Sequence, residues 1–218
     1  MDTVVEEKQA VGFPRLNEPA PEFSALTTHG MKKLADYRGK WLILFSHPAD
    51  FTPVCTTEFV AFSGIYPELQ KRNVDLLGLS IDSNFSHIAW VRNIEQLRGV
   101  KIPFPIIADI DMKVATLYGM VHPGASTTQA VRAVFVIDDK GVLRAMLYYP
   151  MNVGRNMDEI MRLVDGLQTA DREKVACPAN WRPGDKVVVP PPATVEAAEQ
   201  RMKEGYECVD WYLCMKKL

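Results

Sequence analysis

The sequence predicts an α/β fold, a mixed central sheet with helices on both faces, followed by a C-terminal extension. Three observations carry this. Trp41-Leu42-Ile43-Leu44-Phe45 is a continuous apolar run, too short for a membrane span and lacking the polar alternation of a surface strand, so it reads as a buried central strand. After it, strand-like and helix-like stretches alternate and close with a hairpin and a helix, the order expected of a mixed sheet covered by helices. Beyond about residue 170 the character changes: Pro178, Pro183 and Pro190 to Pro192 break the segment, while Trp181, Tyr206, Trp211 and Tyr212 make it too aromatic for a solvated tail. The expected division is a main domain over 15–170 and an arm over 171–218, which lies on the main domain or on a neighbouring subunit because so short a piece supports no core of its own.

Residues 1 to 14 are polar and aperiodic and receive no function. From Phe23 to Leu34, short partly apolar runs flank His29-Gly30, which predicts a hairpin with His29 as an exposed turn residue. The 41–45 strand leads into a turn at His47 to Asp50. Thr52 then reads as a helix N-cap accepting from a first-turn amide, with Pro53 at the first helical position. That helix continues through Phe59, Phe62 and Ile65, and Pro67 is expected to kink it or end it before Leu69. A strand follows at 74–81. Ser83 caps the next helix, whose apolar positions Phe85, Ile88, Ala89, Val91 and Ile94 have helical spacing and which ends near Gly99. His87 and Trp90 lie three apart on it, and packing against the sheet weighs as much as a role in a site. Further on come a strand at 102–108, a short helix at 111–118, a loop at 119–129, and strands at 131–137 and 142–149 around the turn signal Asp138-Asp139-Lys140-Gly141. Asn156 caps a helix with Met157, Ile160, Met161, Val164 and Leu167 on its inner face, and a last short helix spans 194–203 before Gly205.

With 218 residues, 47% hydrophobic and 24% charged, the chain has the composition of an ordinary globular protein. A formal net charge of −2 gives no reason to expect nucleic acid or an acidic membrane surface as partner. The N-terminus M-D-T-V-V-E-E-K-Q-A is acidic with no apolar segment, unlike a secretory or transit peptide, and no apolar run approaches ~20 residues. A cytoplasmic location is therefore expected. Four cysteines in such a chain are more readily catalytic than a secreted disulfide framework.

Counting from Thr52, Cys55 falls at the third helical position, which a capping box gives to Glu or Gln. A thiol there faces free amides and the positive end of the helix dipole, both of which favour negative charge. The bland alternative is a small buried hydrophobe; the cap, the proline and the position together favour a poised thiolate. Cys208 and Cys214 have no His or second pair near them, so no metal site is expected, and Cys177 beside Pro178 reads as structural. The chain has no internal repeats, no glycine-rich phosphate loop and no G-x-S-x-G nucleophile elbow.

Pro48, Thr52 and Cys55 reproduce P-x-x-x-T-x-x-C, and with them the sequence resembles the peroxiredoxins, thiol peroxidases with a thioredoxin-like fold. The likeness extends over most of the chain, from about residue 15 to the end: Pro19-Ala20-Pro21-Glu22-Phe23, Ser86-His87-Ile88-Ala89-Trp90, and Arg132 within V-R-A-V-F-V-I-D. His47 directly before Pro48, Y-P-M-N-V-G-R-N at 149–156 and the long extension resemble the one-cysteine-type branch. The resemblance implies reduction of hydrogen peroxide and alkyl hydroperoxides without a cofactor, in a homo-oligomer such as a decameric ring of dimers. It makes Cys55 the peroxidatic cysteine, places Pro48, Thr52 and Arg132 around the peroxide, makes His47 a nearby hydrogen-bonding group, and has Glu58 held by Arg132 and Arg155. For Arg155, a salt bridge that fixes a loop weighs as much as direct catalysis.

One-cysteine-type enzymes generally lack a resolving cysteine, but this chain is similar to archaeal members that carry a C-terminal pair spaced like Cys208 and Cys214. The likeness implies that the later cysteine attacks the sulfenate of an adjacent subunit, that the earlier one then exchanges into a Cys208–Cys214 disulfide, and that thioredoxin or a similar dithiol recycles it. Six residues on a helix rise about 9 Å, against the roughly 4.4 to 6.8 Å between Cα atoms of bridged cysteines, so the 207–214 segment must be non-helical or unwind. A disulfide-exchange enzyme is disfavoured because no C-x-x-C is present. A holdase or sensor role could coexist with the peroxidase.

Overall fold

The computed structural model describes residues 13–218. Most of the expectation for residues 1–14 therefore falls outside the described residues. Contacts divide the chain into two compact units, one ending at Arg155 and the other spanning Asn156–Leu218.

The first unit opens with the expected hairpin, β1 (Ser24–Thr27) and β2 (Gly30–Lys33), and His29 is exposed in its turn. Next come β3 (Trp41–Ser46), α1 (Pro53–Lys71), β4 (Val74–Ser80), α2 (Asn84–Arg98), β5 (Ile106–Ala108), α3 (Lys113–Leu117), β6 (Arg132–Ile137) and β7 (Leu143–Tyr149). The seven strands form one sheet in the order β2-β1-β5-β4-β3-β6-β7. β3, β4 and β5 run parallel, and antiparallel strands flank them on both sides. All six residues of β3 are buried, as its unbroken apolar run requires.

Alternate side chains of β3 serve opposite faces. Phe45 stacks on Phe62 and meets Phe59 of α1, with Phe104 beside them and Trp90 of α2 against Phe59. Leu42 and Leu44 join a second cluster with Phe23, Leu77, Leu79, Phe135 and the α3 residues Val114 and Ala115. Helices thus cover both faces, in a thioredoxin-like arrangement. At the β6–β7 turn Gly141 has a φ of 76°, and a Cβ there would collide with the Arg38 guanidinium, which hydrogen-bonds the neighbouring Lys140 carbonyl.

Several element-level expectations need correction. Pro67 does not end α1, which runs on to Lys71. The backbone bond that proline forfeits is outweighed by full burial of Leu69 and by Gln70 donating to the Val74 carbonyl at 2.9 Å. The strand expected at 102–108 shrinks to three residues, because Pro103 and Pro105 have no N–H for a ladder. On α2, capped by Ser83 and closed by Gly99 as expected, the buried residues are His87, Trp90 and Ile94, while Phe85 is 84% exposed and Ile88 38%. Of the expected stripe only Ile94 is buried, because the two other buried residues of the helix, His87 and Trp90, carry ring nitrogens and do not read as apolar.

The second unit contains α4 (Met157–Glu173), capped by Asn156, then β8 (Val187–Val189), α5 (Val195–Arg201), β9 (Glu207–Asp210) and β10 (Leu213–Lys216). Its strands pair in the order β8-β10-β9. Val175, Trp181 and Val187 form a small cluster against which Cys177 packs. No described helix is long and apolar enough to cross a membrane.

Candidate active site

Between Ser46 and Pro53 the chain turns from β3 into α1, and β4 pins that turn. The His47 N–H donates to the Leu79 carbonyl at 2.9 Å and the Asp50 N–H to the Asp82 carboxylate at 3.0 Å. Phe51 is driven to a φ of 55°, uncommon for an aromatic residue, before Thr52 returns to extended geometry and Pro53 opens the helix. Cys55 stands at the third helical position and is fully buried. Thr52 departs from expectation: no amide donates to its side chain, and its hydroxyl instead donates to the Ala49 carbonyl at 2.8 Å, closing the turn. The amides of Val54 and Cys55 therefore keep no intrahelical acceptor and face the sulfur's end of the helix.

Arg132 reaches Cys55 from β6. Ser46 sets the approach, its hydroxyl donating to the Val131 carbonyl at 2.6 Å and accepting from the Ala133 N–H at 3.1 Å. The Arg132 Nη1 lies 3.3 Å from the Cys55 Sγ and 2.6 Å from Glu58 Oε2, while its Nε and Nη2 donate to the Met151 carbonyl at 2.9 and 2.7 Å. Glu58 is three residues after Cys55 on the same helix face, so one helical turn holds the thiol and the carboxylate that orients its cation. Arg155 grips the same carboxylate three times: backbone N–H at 2.9 Å, Nε at 2.8 Å and Nη2 at 2.6 Å. Its Nη1 donates to the Ser46 and Ala133 carbonyls, at 2.8 and 3.0 Å. Burial alone would raise the Glu58 carboxyl, but the Arg155 and Arg132 charges outweigh it and hold the group below the usual carboxylate range. Two buried cations against one anion leave a single positive charge beside the sulfur.

A second polar cluster adjoins the turn. His47, Asp50 and His87 are buried, and Asp50 accepts from both rings: His47 Nε2 is 3.0 Å from Oδ1 and His87 Nδ1 is 2.8 Å from Oδ2. Among the described residues this is the group whose atoms could face a common metal ion, yet these atoms are already engaged with one another, and no such role is assigned. His87 stood evenly between packing and a site role in the sequence, and Asp50 did not stand out. The signal was there in H-P-A-D, where a carboxylate three residues beyond a histidine sits in a turn that the flanking apolar run buries.

The predicted residues Pro48, Thr52, Cys55, Glu58, Arg132 and Arg155 thus belong to one constellation around the β3–α1 turn, with His47 at its edge. Cys208 and Cys214 belong to the second unit, where they are directly opposed on β9 and β10 and joined by a disulfide. The segment between them is a hairpin, as the geometry of a six-residue separation demanded. Cys55 and Cys177 are free thiols.

A fold of this kind, with a helix-start cysteine held against an arginine, defines a class of thiol chemistry, and comparison with known proteins narrows it. Residues 16–146 match the AhpC/TSA family and residues 166–205 the C-terminal domain of 1-Cys peroxiredoxin. A peroxiredoxin of Aquifex aeolicus is 62% identical over 96% of this chain and 100% of its own, and one of Methanosarcina mazei is 54% identical over 94% of this chain and 98% of its own. Among solved structures, the yeast mitochondrial 1-Cys peroxiredoxin, described with glutathione and thioredoxin systems, superposes with a TM-score of 0.84 at 42% identity, covering 94% of this chain and 99% of that one. Peroxiredoxin 6 of Arenicola marina gives 0.83 at 38% identity, covering 93% and 97%. The chain belongs to the peroxiredoxin family and is a thiol peroxidase.

Proposed function

We propose that the enzyme reduces hydrogen peroxide and alkyl hydroperoxides through Cys55, and that the observation carrying this is the 3.3 Å contact between Arg132 Nη1 and the Cys55 sulfur at the start of α1. The thiolate sulfur gives its electron pair to the nearer peroxide oxygen as the O–O bond breaks. That bond pair leaves on the distal oxygen, which takes up a proton to become water or alcohol, and Cys55 becomes a sulfenic acid, oxidised by two electrons. Arg132 and the first-turn amides stabilise the charge that develops on the oxygens. Because the Thr52 hydroxyl donates to Ala49, its remaining lone pairs are left to accept the peroxide O–H and orient it. Pro48, buried in the turn, restricts water, and Arg155 serves by fixing Glu58, which in turn aims Arg132.

In this reading a catalytic domain over 15–170 is followed by an arm over 171–218 that brings Cys214 to the site of a neighbouring subunit. The Cys214 thiolate attacks the sulfenic sulfur, a disulfide forms and water leaves; Cys208 then exchanges in, giving the Cys208–Cys214 pair, which a thioredoxin-like dithiol reduces. The opposed positions of the two cysteines on β9 and β10 support the exchange. The assembly is a homo-oligomer, a ring of dimers such as a decamer, and works in the cytoplasm. Replacement of Cys55 by Ser should abolish peroxide consumption, while Cys177→Ser should leave it nearly unchanged. Turnover retained in the Cys55 variant would end this reading.

A further inference from the structure

The Cys208–Cys214 disulfide presents two unlike sulfurs to an incoming thiol. A thiolate breaks a disulfide by entering along the extension of the S–S axis, behind the sulfur it attacks, because the empty antibonding orbital of the bond points there. Which sulfur takes it is then decided by access. The strands of this sheet lie in the order β8-β10-β9, so the bridge links an outer strand, β9, to the central strand, β10. Directly opposed residues of antiparallel strands carry their side chains on one face. Cys214 is opposed to Cys208 on one side and to Val189 of β8 on the other, which sets all three in a row across one face of the sheet.

The two ends of that row differ. Behind Cys214 stands Val189, only 9% exposed, and Cys214 itself is fully buried. Behind Cys208 the sheet ends: among the described residues no strand pairs with the outer edge of β9, Cys208 is half-buried, and its neighbours Glu207 and Val209 are exposed. β8 and β10 belong to the same unit, so the obstruction behind Cys214 is supplied by the chain itself.

We infer that reduction of this pair has a fixed polarity: the reductant attacks Cys208, which carries the mixed disulfide, and Cys214 is the thiol set free. The inference deepens the proposed cycle and rests on the reading that a thioredoxin-like dithiol reduces the pair. The first thiolate of the dithiol gives an electron pair to Cys208 Sγ, the S–S bond breaks with its pair on Cys214 Sγ, and Cys214 takes up the proton that the dithiol gave up. The Asp210 carbonyl, 3.5 Å from Cys214 Sγ, and the Trp211 carbonyl, 3.9 Å away, are placed to accept from the new S–H. The second thiolate of the dithiol then attacks the reductant's own first sulfur, and Cys208 leaves and takes up the second proton. Two electrons pass from the dithiol to the pair, and Cys214 is already free after the first exchange, while the reductant is still attached.

The test starts from the full chain with the Cys208–Cys214 disulfide formed and uses two probes: thioredoxin with the second cysteine of its C-x-x-C replaced by Ser, which cannot complete the exchange, and glutathione. Each reaction is stopped early by rapid alkylation, and peptide mass spectrometry reads which cysteine carries the probe and which the alkyl group. With both probes Cys208 should carry the probe and Cys214 the alkyl group, in at least about tenfold excess over the opposite arrangement. In urea, with the sheet unfolded, the excess should fall to near unity. A near-equal mixture or an excess of Cys214 adducts in the folded protein, an excess of Cys208 adducts that persists in urea, or no adduct from either probe would overturn the inference. Glutathione on Cys208 with no adduct from the thioredoxin variant would leave the polarity standing and remove the thioredoxin-like reductant instead.

Discussion

At the scale of single residues, Glu58 and Asp50 do parallel work, each a buried carboxylate that fixes two cationic or potentially cationic side chains around one turn. Losing either would strand its partners in a medium where unpaired charge costs several kcal/mol. The consequence is a fold sensitive to acid, with a sign that can be worked out. Burial lowers the His47 pKa below 6.5, so as pH falls through about 6.5 the unfolded chain binds a proton that the folded one refuses, and stability declines. For Asp50, burial alone would raise the carboxyl, but hydrogen bonds from His47 and His87 outweigh it and bring the pKa from 3.8 to about 2. Its contribution is present above pH 3.8 and lost as pH falls toward 2. Urea midpoints measured against pH should therefore drop below 6.5 and again below 4, and Asp50→Asn should show a smaller lower decline, the part due to Glu58 remaining. Superimposable profiles for the two proteins would refute it. Cys55 and Thr52 were legible in the sequence because a proline and a countable helix position fix them, and Arg132 through the resemblance of its strand; His87 stood evenly between packing and a site, and Asp50 was not legible, because its partners are set by tertiary packing.

At the scale of elements, most helix ends set by local chemistry and the long strands set by apolar pattern matched the structure, while features that depend on packing did not. Ser83, Gly99, Asn156 and Gly141 mark ends through side-chain caps or positive φ, which a sequence displays openly. Pro67 inside α1 and the buried face of α2 were decided by tertiary packing, which no window of residues contains. The β9–β10 hairpin is the element on which the proposed resolution step turns. With Cys208 opposite Cys214, Cys214 can leave its partner only by breaking a bond inside that hairpin. Peroxide should convert the reduced wild type into a covalent dimer visible without reductant, linked through Cys55 and Cys214. The Cys214→Ser variant should form none and should stop cycling with thioredoxin, yet still turn over slowly with small thiols that reach the sulfenate directly. Normal cycling with thioredoxin in that variant would make the enzyme a true one-cysteine peroxidase.

At the scale of the whole molecule, the division at Arg155 gives the catalytic constellation a unit of its own, from the first described residues to the arginine that closes the Glu58 clamp. The second unit leaves Val195, Val209, Trp211 and Tyr212 exposed by between 41% and 77%, more apolar surface than a small unit usually shows to water. Assembly would cover it, and light scattering at micromolar concentration should report a ring of dimers; a monomer would contradict that. The fold class could be reached from the order of elements, and the buried helix-start position of Cys55 from one turn, whereas the proposed partner of Cys214 rests on an assembly that a single sequence does not display. The central claim is that peroxide oxidises Cys55. Its most direct test treats the reduced Cys208→Ser/Cys214→Ser protein with one equivalent of hydrogen peroxide in the presence of a sulfenic-acid trap and maps the adduct by mass spectrometry. The account predicts a stoichiometric adduct on Cys55 and none on Cys177; an adduct on Cys177 with Cys55 unmodified would contradict it.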